Sequence, residues 1–117
     1  AEWISDDTFD LLRRQALAFC AVDEPRLPGL MPPVAEATSG LGYVRFHGRN
    51  AKKWWTHDNP SERYDYLYAD DELKEWIPKI QRIADKTKKT YVFFNNCHVG
   101  QAAENAHMLQ AMLDLAL

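Results

Sequence analysis

Residues 70–96, DDELKEWIPKIQRIADKTKKTYVFFNN, decide the fold. Leu73, Trp76, Ile77, Ile80, Ile83 and Ala84 recur at three- and four-residue intervals, the spacing of one apolar stripe along a helix. Asp70 or Asp71 begins that helix. Pro78 removes a backbone donor from it, so a kink near Lys74 is expected. The pattern then changes. Thr90-Tyr91-Val92-Phe93-Phe94 reads as a strand closed by Asn95-Asn96, so a helix feeds directly into a strand.

The same alternation continues outward. Upstream, Tyr43-Val44-Arg45-Phe46-His47 is a strand ended by Gly48. Further back, Leu17-Ala18-Phe19-Cys20-Ala21-Val22 is an apolar run of the kind buried on both faces of a parallel sheet. A helix over residues 7–15 precedes it, with Phe9, Leu12 and Ala16 at helical spacing and Ser5 or Asp6 as its cap. Downstream, Gly100 precedes a last helix on which Ala102, Ala106, Leu109, Leu113 and Ala116 face one way. The order predicts an α/β fold with three neighbouring parallel strands, at 17–22, 43–47 and 90–95, flanked by helices. Two irregular stretches, 23–42 and 48–69, are each about 20 residues, longer than ordinary connections. Both leave the C-terminal ends of strands and so share one face, where barrels and doubly wound sheets place their binding sites.

Composition bounds what this fold can do. A chain of 117 residues with 46% apolar content is one compact domain. Its 14 basic and 17 acidic residues give a net charge of −3, which excludes a binder of nucleic acid or membrane that uses its whole surface. No apolar run approaches the 18 or so residues of a transmembrane helix, and no signal peptide is recognisable. Cys20 and Cys97 lack CxxC spacing and read as buried thiols of a reducing compartment, so the expected location is cytoplasmic. The opening Ala1-Glu2-Trp3, with no initiator Met, suggests an excised or processed piece.

Several segments occur in a recognisable order: Val22-Asp23-Glu24-Pro25, Tyr43 to Asn50 (YVRFHGRN), Tyr64-Asp65-Tyr66-Leu67-Tyr68, Leu73-Lys74-Glu75-Trp76 and Val92-Phe93-Phe94-Asn95-Asn96. Gln101-Ala102 and Asn105-Ala106 follow. Together they resemble the C-terminal stretch of the domain of unknown function 72 (YecE-like) family over nearly the whole chain. The resemblance implies the C-terminal part of a TIM (β/α)₈ barrel, residues 1–117 supplying the last three of eight strands. It implies a fold rather than an activity. One copy of the chain would leave the barrel incomplete, so the expected partner is the missing N-terminal half or a second copy.

Strand alternation puts Tyr43, Arg45 and His47 on one face and Val44 and Phe46 on the other. In a barrel the apolar pair meets the helices, while Arg45 and His47 point into the mouth. An inward arginine is costly unless it is paired or binds an anion, so Arg45 either holds a ligand or forms an ion pair with Asp23 or Glu24. Between Arg45 and Trp55 stand Arg45, Arg49, Lys52 and Lys53 with no acidic residue, and His47, Trp54 and Trp55 lie among them. Guanidinium forks match phosphate or carboxylate oxygens, and an indole can stack on a sugar or base. Asp23 and Glu24 are candidates for a general base, with His47 beside them, or for a salt bridge. Asn95 and Asn96 can orient a hydroxyl or an oxyanion, or tie loop backbone. His47, Asp23 and Glu24, with His98, form only a loose mixed metal set, and no metal or cofactor is assigned. Three functions follow. The first is a barrel enzyme acting on an anionic, hydroxylated small molecule such as a sugar phosphate. The second is nucleic-acid binding or phosphodiester cleavage through the basic aromatic loop 45–55. The third is an inactive fragment or assembly intermediate of a barrel.

Overall fold

A computed structural model describes residues 2–116. Three strands, β1 (Cys20–Asp23), β2 (Leu41–Phe46) and β3 (Lys89–Phe94), form one sheet in the order β1-β2-β3. Both pairings are parallel, with Val22 opposite Arg45 and Arg45 opposite Phe93, so the predicted parallel arrangement is present. Around the sheet lie α1 (Asp6–Arg14), α2 (Ala51–Trp54), α3 (Asp70–Lys74), α4 (Ile77–Asp85) and α5 (Gln101–Ala116), with 3₁₀ turns at Pro60–Tyr64 and His98–Gly100.

The pleat sorts side chains as alternation requires. Ala21, Val44 and Phe46 are fully buried on the helix side, in one cluster with Phe9, Phe19, Tyr68, Leu73, Trp76, Ile80, Ile83 and Leu109. Each large apolar side chain removed from water there contributes about 1.5–3 kcal/mol. Gly42 lets α4 lie directly on β2: a Cβ at that position would stand 2.5 Å from Ile83 Cγ2 and 2.8 Å from Thr90 Oγ1. The opposite face carries an aromatic strip, with Tyr43 and Phe93 rings 5.3 Å apart and Phe93 and Tyr91 rings 6.0 Å apart. Tyr91 and Phe93 remain 41% and 44% exposed, so the β3 side of this face is open.

Five expectations are corrected. The first strand begins at Cys20 rather than Leu17, because residues 17–19 are held otherwise. Ala16 turns at positive φ, Leu17 N–H bonds Leu12 O, and the Thr38 hydroxyl both receives Phe19 N–H and bonds Leu17 O. The helix after Asp70 does not kink but breaks into α3 and α4, with Pro78 inside the first turn of α4, where a missing N–H costs nothing. The loop after β2 contains α2, capped by the Asn50 side chain on Lys53 N–H, which the tryptophans and lysines of the loop concealed. On α5 Leu109 is buried and Leu113 packs against the core as expected, but Asn105 is buried where Ala106 was expected, and Ala106 and Ala116 are exposed. The thiols also differ from expectation, Cys20 being half-buried and Cys97 exposed, both free.

Candidate functional site

Asp23 ends β1 on the helix side of the sheet, opposite Phe46 in register, and is fully buried. Burial alone would drive a carboxyl towards its neutral form, so donors must surround it. Arg49 grips it with two parallel bonds, Nε to Oδ2 and Nη2 to Oδ1, both 2.9 Å. Tyr68 donates its hydroxyl to Oδ2 at 2.6 Å, and Trp76 donates its indole N–H to Oδ1 at 2.8 Å. Arg26 adds contacts to Oδ1 at 3.2 Å. Burial pushes the Asp23 carboxyl upward, but the bonds from Arg49 and Tyr68, the Arg49 charge and the Trp76 bond outweigh it and hold the group below the usual carboxylate range.

Arg49 reaches this side because Gly48 turns the chain at φ +96, a conformation that L side chains rarely adopt. The guanidinium also meets Glu75 at 3.0 Å and Glu72 at 3.4 Å. Burial works against its charge, yet the bonds to Asp23 and Glu75 raise its pKa further. Tyr66 donates its hydroxyl to Glu72, and burial, then the bond and charge of Glu72, push its pKa up to about 12. Tyr68 is raised as well, by burial first and then by the neighbouring Asp23 charge. Arg49 is thus matched by three carboxylates.

Arg45 lies on the other face, beside Phe93, and its environment is the reverse. Its Nε donates to Asn95 Oδ1 at 3.0 Å, and no carboxylate lies within 4.0 Å of it among the described residues. The expected pairing with Asp23 or Glu24 is absent: Asp23 belongs to Arg49 and Arg26, and Glu24 Oε1 accepts Met31 N–H at 2.7 Å within the following loop. His47 follows β2, its backbone N–H on Asp23 O at 2.9 Å and its ring 6.0 Å from that of Tyr64. Its Nδ1 is buried without a hydrogen-bond partner. Burial and then the Arg45 charge lower its pKa, with Asp23 opposing, so the imidazole is mostly neutral at pH 7. Beside this group, at the C-terminal end of β3, Ser61, Tyr64, Asn95, Cys97 and His98 line an open cavity of about 150 Å³.

The remaining candidates separate. Asn96 is fully buried and donates to Tyr66 O at 2.7 Å and Asn105 Oδ1 at 2.9 Å, so it ties loop backbone. Asn105 in turn accepts Tyr68 N–H and donates to Tyr68 O, at 2.9 and 3.1 Å. Gln101 accepts Tyr66 N–H at 3.1 Å. Trp54 is buried against Tyr64, whereas Trp55 is 62% exposed, with the Arg63 guanidinium 6.0 Å from its ring centroid. Among the described residues no three His, Cys, Asp or Glu side chains are arranged to hold a metal ion. No helix among them is long and apolar enough to cross a membrane.

A family model described as "Protein of unknown function DUF72" matches residues 1–117. The chain belongs to the DUF72 family. Among curated relatives, the UPF0759 protein YunF of Bacillus subtilis (strain 168) is 31% identical over 116 residues, covering 94% of this chain and 41% of the relative. A solved DUF72 protein from Thermotoga maritima MSB8 is 45% identical with a TM-score of 0.88, covering 96% of this chain and 42% of that one. A DUF72 protein from Enterococcus faecalis V583 is 28% identical with a TM-score of 0.83, over 96% of this chain and 44% of that one. The chain therefore spans about two fifths of the length of these relatives.

The segments that carry the DUF72 resemblance divide between the two faces of the sheet. Asp23, Arg49, Tyr68, Glu75 and Trp76 meet in one buried network, while Arg45 and Asn95 pair on the other face, next to the cavity. Sequence reasoning named the two arginines but missed Tyr68, Glu72, Glu75 and Trp76 as partners of Asp23 and Arg49. The available signal was the acidic pair Glu72 and Glu75, three residues apart on one helical turn, downstream of a stretch at 45–55 that has basic residues and no acid. Tyr64 and Ser61 were also missed, because only folding brings residues 61–64 beside the end of β3.

Proposed function

We propose that this DUF72 chain supplies the C-terminal three strands of a TIM (β/α)₈ barrel and binds an anionic, hydroxylated small molecule, such as a sugar phosphate, at the C-terminal ends of β2 and β3. One observation carries the binding reading: Arg45 is half-buried, is steered by Asn95, and has no carboxylate partner among the described residues. An unneutralised guanidinium in that position favours an anion over water. His47, mostly neutral at pH 7, is the group placed to exchange a proton with such a ligand. Asp23 and Glu24, occupied by donors of the chain itself, support the site by positioning rather than by touching the ligand. The barrel reading is supported by the parallel order β1-β2-β3, by the bare aromatic face, and by relatives more than twice as long. The companion is then the rest of the barrel, or a second copy. Two free thiols fit a reducing, cytoplasmic setting.

The test is a calorimetric titration of the full chain with a panel of sugar phosphates, repeated with Arg45→Met. Binding should be lost while stability stays within about 1 kcal/mol, because Met keeps much of the stem. A collapse in stability with binding intact would overturn the reading and make Arg45 a structural residue. Exposed Trp55, with the Arg63 guanidinium over its ring, favours a second reading, a single nucleic-acid strand stacked on the loop at 45–55. A salt series on an oligonucleotide tests it, since phosphate-backbone binding weakens steeply with ionic strength. If neither sugar phosphates nor oligonucleotides bind, the inactive-fragment reading is the one that stands.

A further inference from the structure

The Arg45–Asn95 pair fixes more than the position of a charge. A guanidinium can only donate, so the atom of Asn95 that stands 3.0 Å from Arg45 Nε is the amide oxygen. The amide nitrogen is left with no hydrogen-bond partner among the described residues, on a side chain that lines the cavity. His47 adds a second constraint. Its buried Nδ1 has no partner. An orphaned N–H is costlier than an unused acceptor, so the proton of the neutral ring sits on Nε2. Tyr64, whose ring lies 6.0 Å from His47, adds a phenol at the cavity wall. Ser61 is turned away as a donor, its hydroxyl already on Asn59 Oδ1 at 3.0 Å. No carboxylate lines the cavity, and that of Asp65 stands 3.9 Å from His98 Nε2.

Resting on the reading of Arg45 as a ligand group, we infer that this end of β2 and β3 is a cradle for an oxyanion, with the Asn95 amide nitrogen and the His47 Nε2–H as donors beside Arg45. The anchoring group of the ligand is thus an acceptor-only oxyanion, phosphate, sulfate or carboxylate, and His47 meets it as a hydrogen-bond donor. The open cavity that Asn95 and Tyr64 line, about 150 Å³, has room for an oxyanion.

Inorganic sulfate is the probe, because its charge does not change near neutral pH, and calorimetry on the full chain is the readout. Asn95→Asp keeps an oxygen for Arg45 but replaces the amide donors with a negative charge. It should weaken sulfate by about tenfold or more while the melting temperature holds or rises. His47→Gln retains a donor at the Nε2 position and should keep sulfate binding, whereas His47→Asn, too short to reach, should lose it. If Arg45→Met abolishes binding but Asn95→Asp and His47→Asn do not, the cradle is wrong and the arginine-anchored site stands. If His47→Gln fails as His47→Asn does while both remain folded, the donor role of the ring is wrong. If the wild-type chain binds sugar phosphates but no sulfate, the cradle falls alone. If it binds neither, the reading beneath it falls too.

Discussion

Replacing Asp23 with asparagine keeps the shape of the side chain and removes its charge, and its surroundings give the change a definite cost. Oδ1 accepts from Arg49, Trp76 and Arg26, and Oδ2 accepts from Arg49 and Tyr68. Whichever oxygen becomes NH₂, a donor then faces at least two donors in a site that water does not reach. Removing one member of a buried ion pair costs about 3–5 kcal/mol. At roughly 4 °C per kcal/mol for a domain of this size, the melting temperature should fall by about 12–20 °C. The sign with pH is also fixed. The folded-state pKa of Asp23 is depressed, so its contribution is fully present above the unfolded carboxylate value near 3.9 and is lost as pH falls through the lower folded value. Urea unfolding of wild type and Asp23→Asn should therefore show a gap at pH 7 that narrows below about pH 4. A gap at pH 7 under about 1 kcal/mol would refute the claim that this network holds the ends of β1 and β2 together.

Three further outcomes follow. Asn105→Leu keeps the branching of the side chain but strips Tyr68 N–H and O of their partner and removes one acceptor from the Asn96 amide; it should cost about 3 kcal/mol and expose the Tyr68 amide to hydrogen exchange. Gly48→Ala places a Cβ 2.9 Å from that of Tyr66 at φ +96 and should lower the urea midpoint by the equivalent of about 1–3 kcal/mol; an unchanged midpoint would mean that the turn relaxes freely. Without a companion chain, the bare face of Tyr43, Tyr91 and Phe93 and the open strand edges should drive self-association, and a cooperatively melting monomer in dilute light scattering would contradict the incomplete-barrel proposal.

The sheet was legible because its signals are local. Val44 and Phe46 alternate against Tyr43 and Arg45, and Leu73 to Ile83 carry a helical period that only a core-facing helix needs. The limits of β1 were not legible, since the grip of Thr38 on Leu17 and Phe19 joins residues far apart in the chain. The same reason explains the site. Arg45, His47, Arg49 and Asp23 could be named from strand ends, but which arginine would be neutralised depended on Gly48. That residue sends Arg49 across to Asp23, Glu72 and Glu75 and leaves Arg45 with an amide. On α5 the apolar pattern found Leu109 and Leu113 but pointed to Ala106, and the residue buried in its place is Asn105, which hydropathy scores against burial.

Asn105 meets Tyr68 as a neighbouring strand would, accepting one bond from its N–H and donating one to its carbonyl, so a side chain stands in for a missing length of sheet. A grip on the main chain places no demand on the side chain it holds. The phenol of Tyr68 is therefore free to serve elsewhere, and it does so 45 residues away, donating to Asp23 and receiving Gly48 N–H. Because the carboxamide clamp is uncharged, neither salt nor acid loosens it directly, whereas the carboxylate at the other end of the same residue answers to pH. Tyr68 thus joins two fastenings with different vulnerabilities, and acid should release the ring before it releases the backbone.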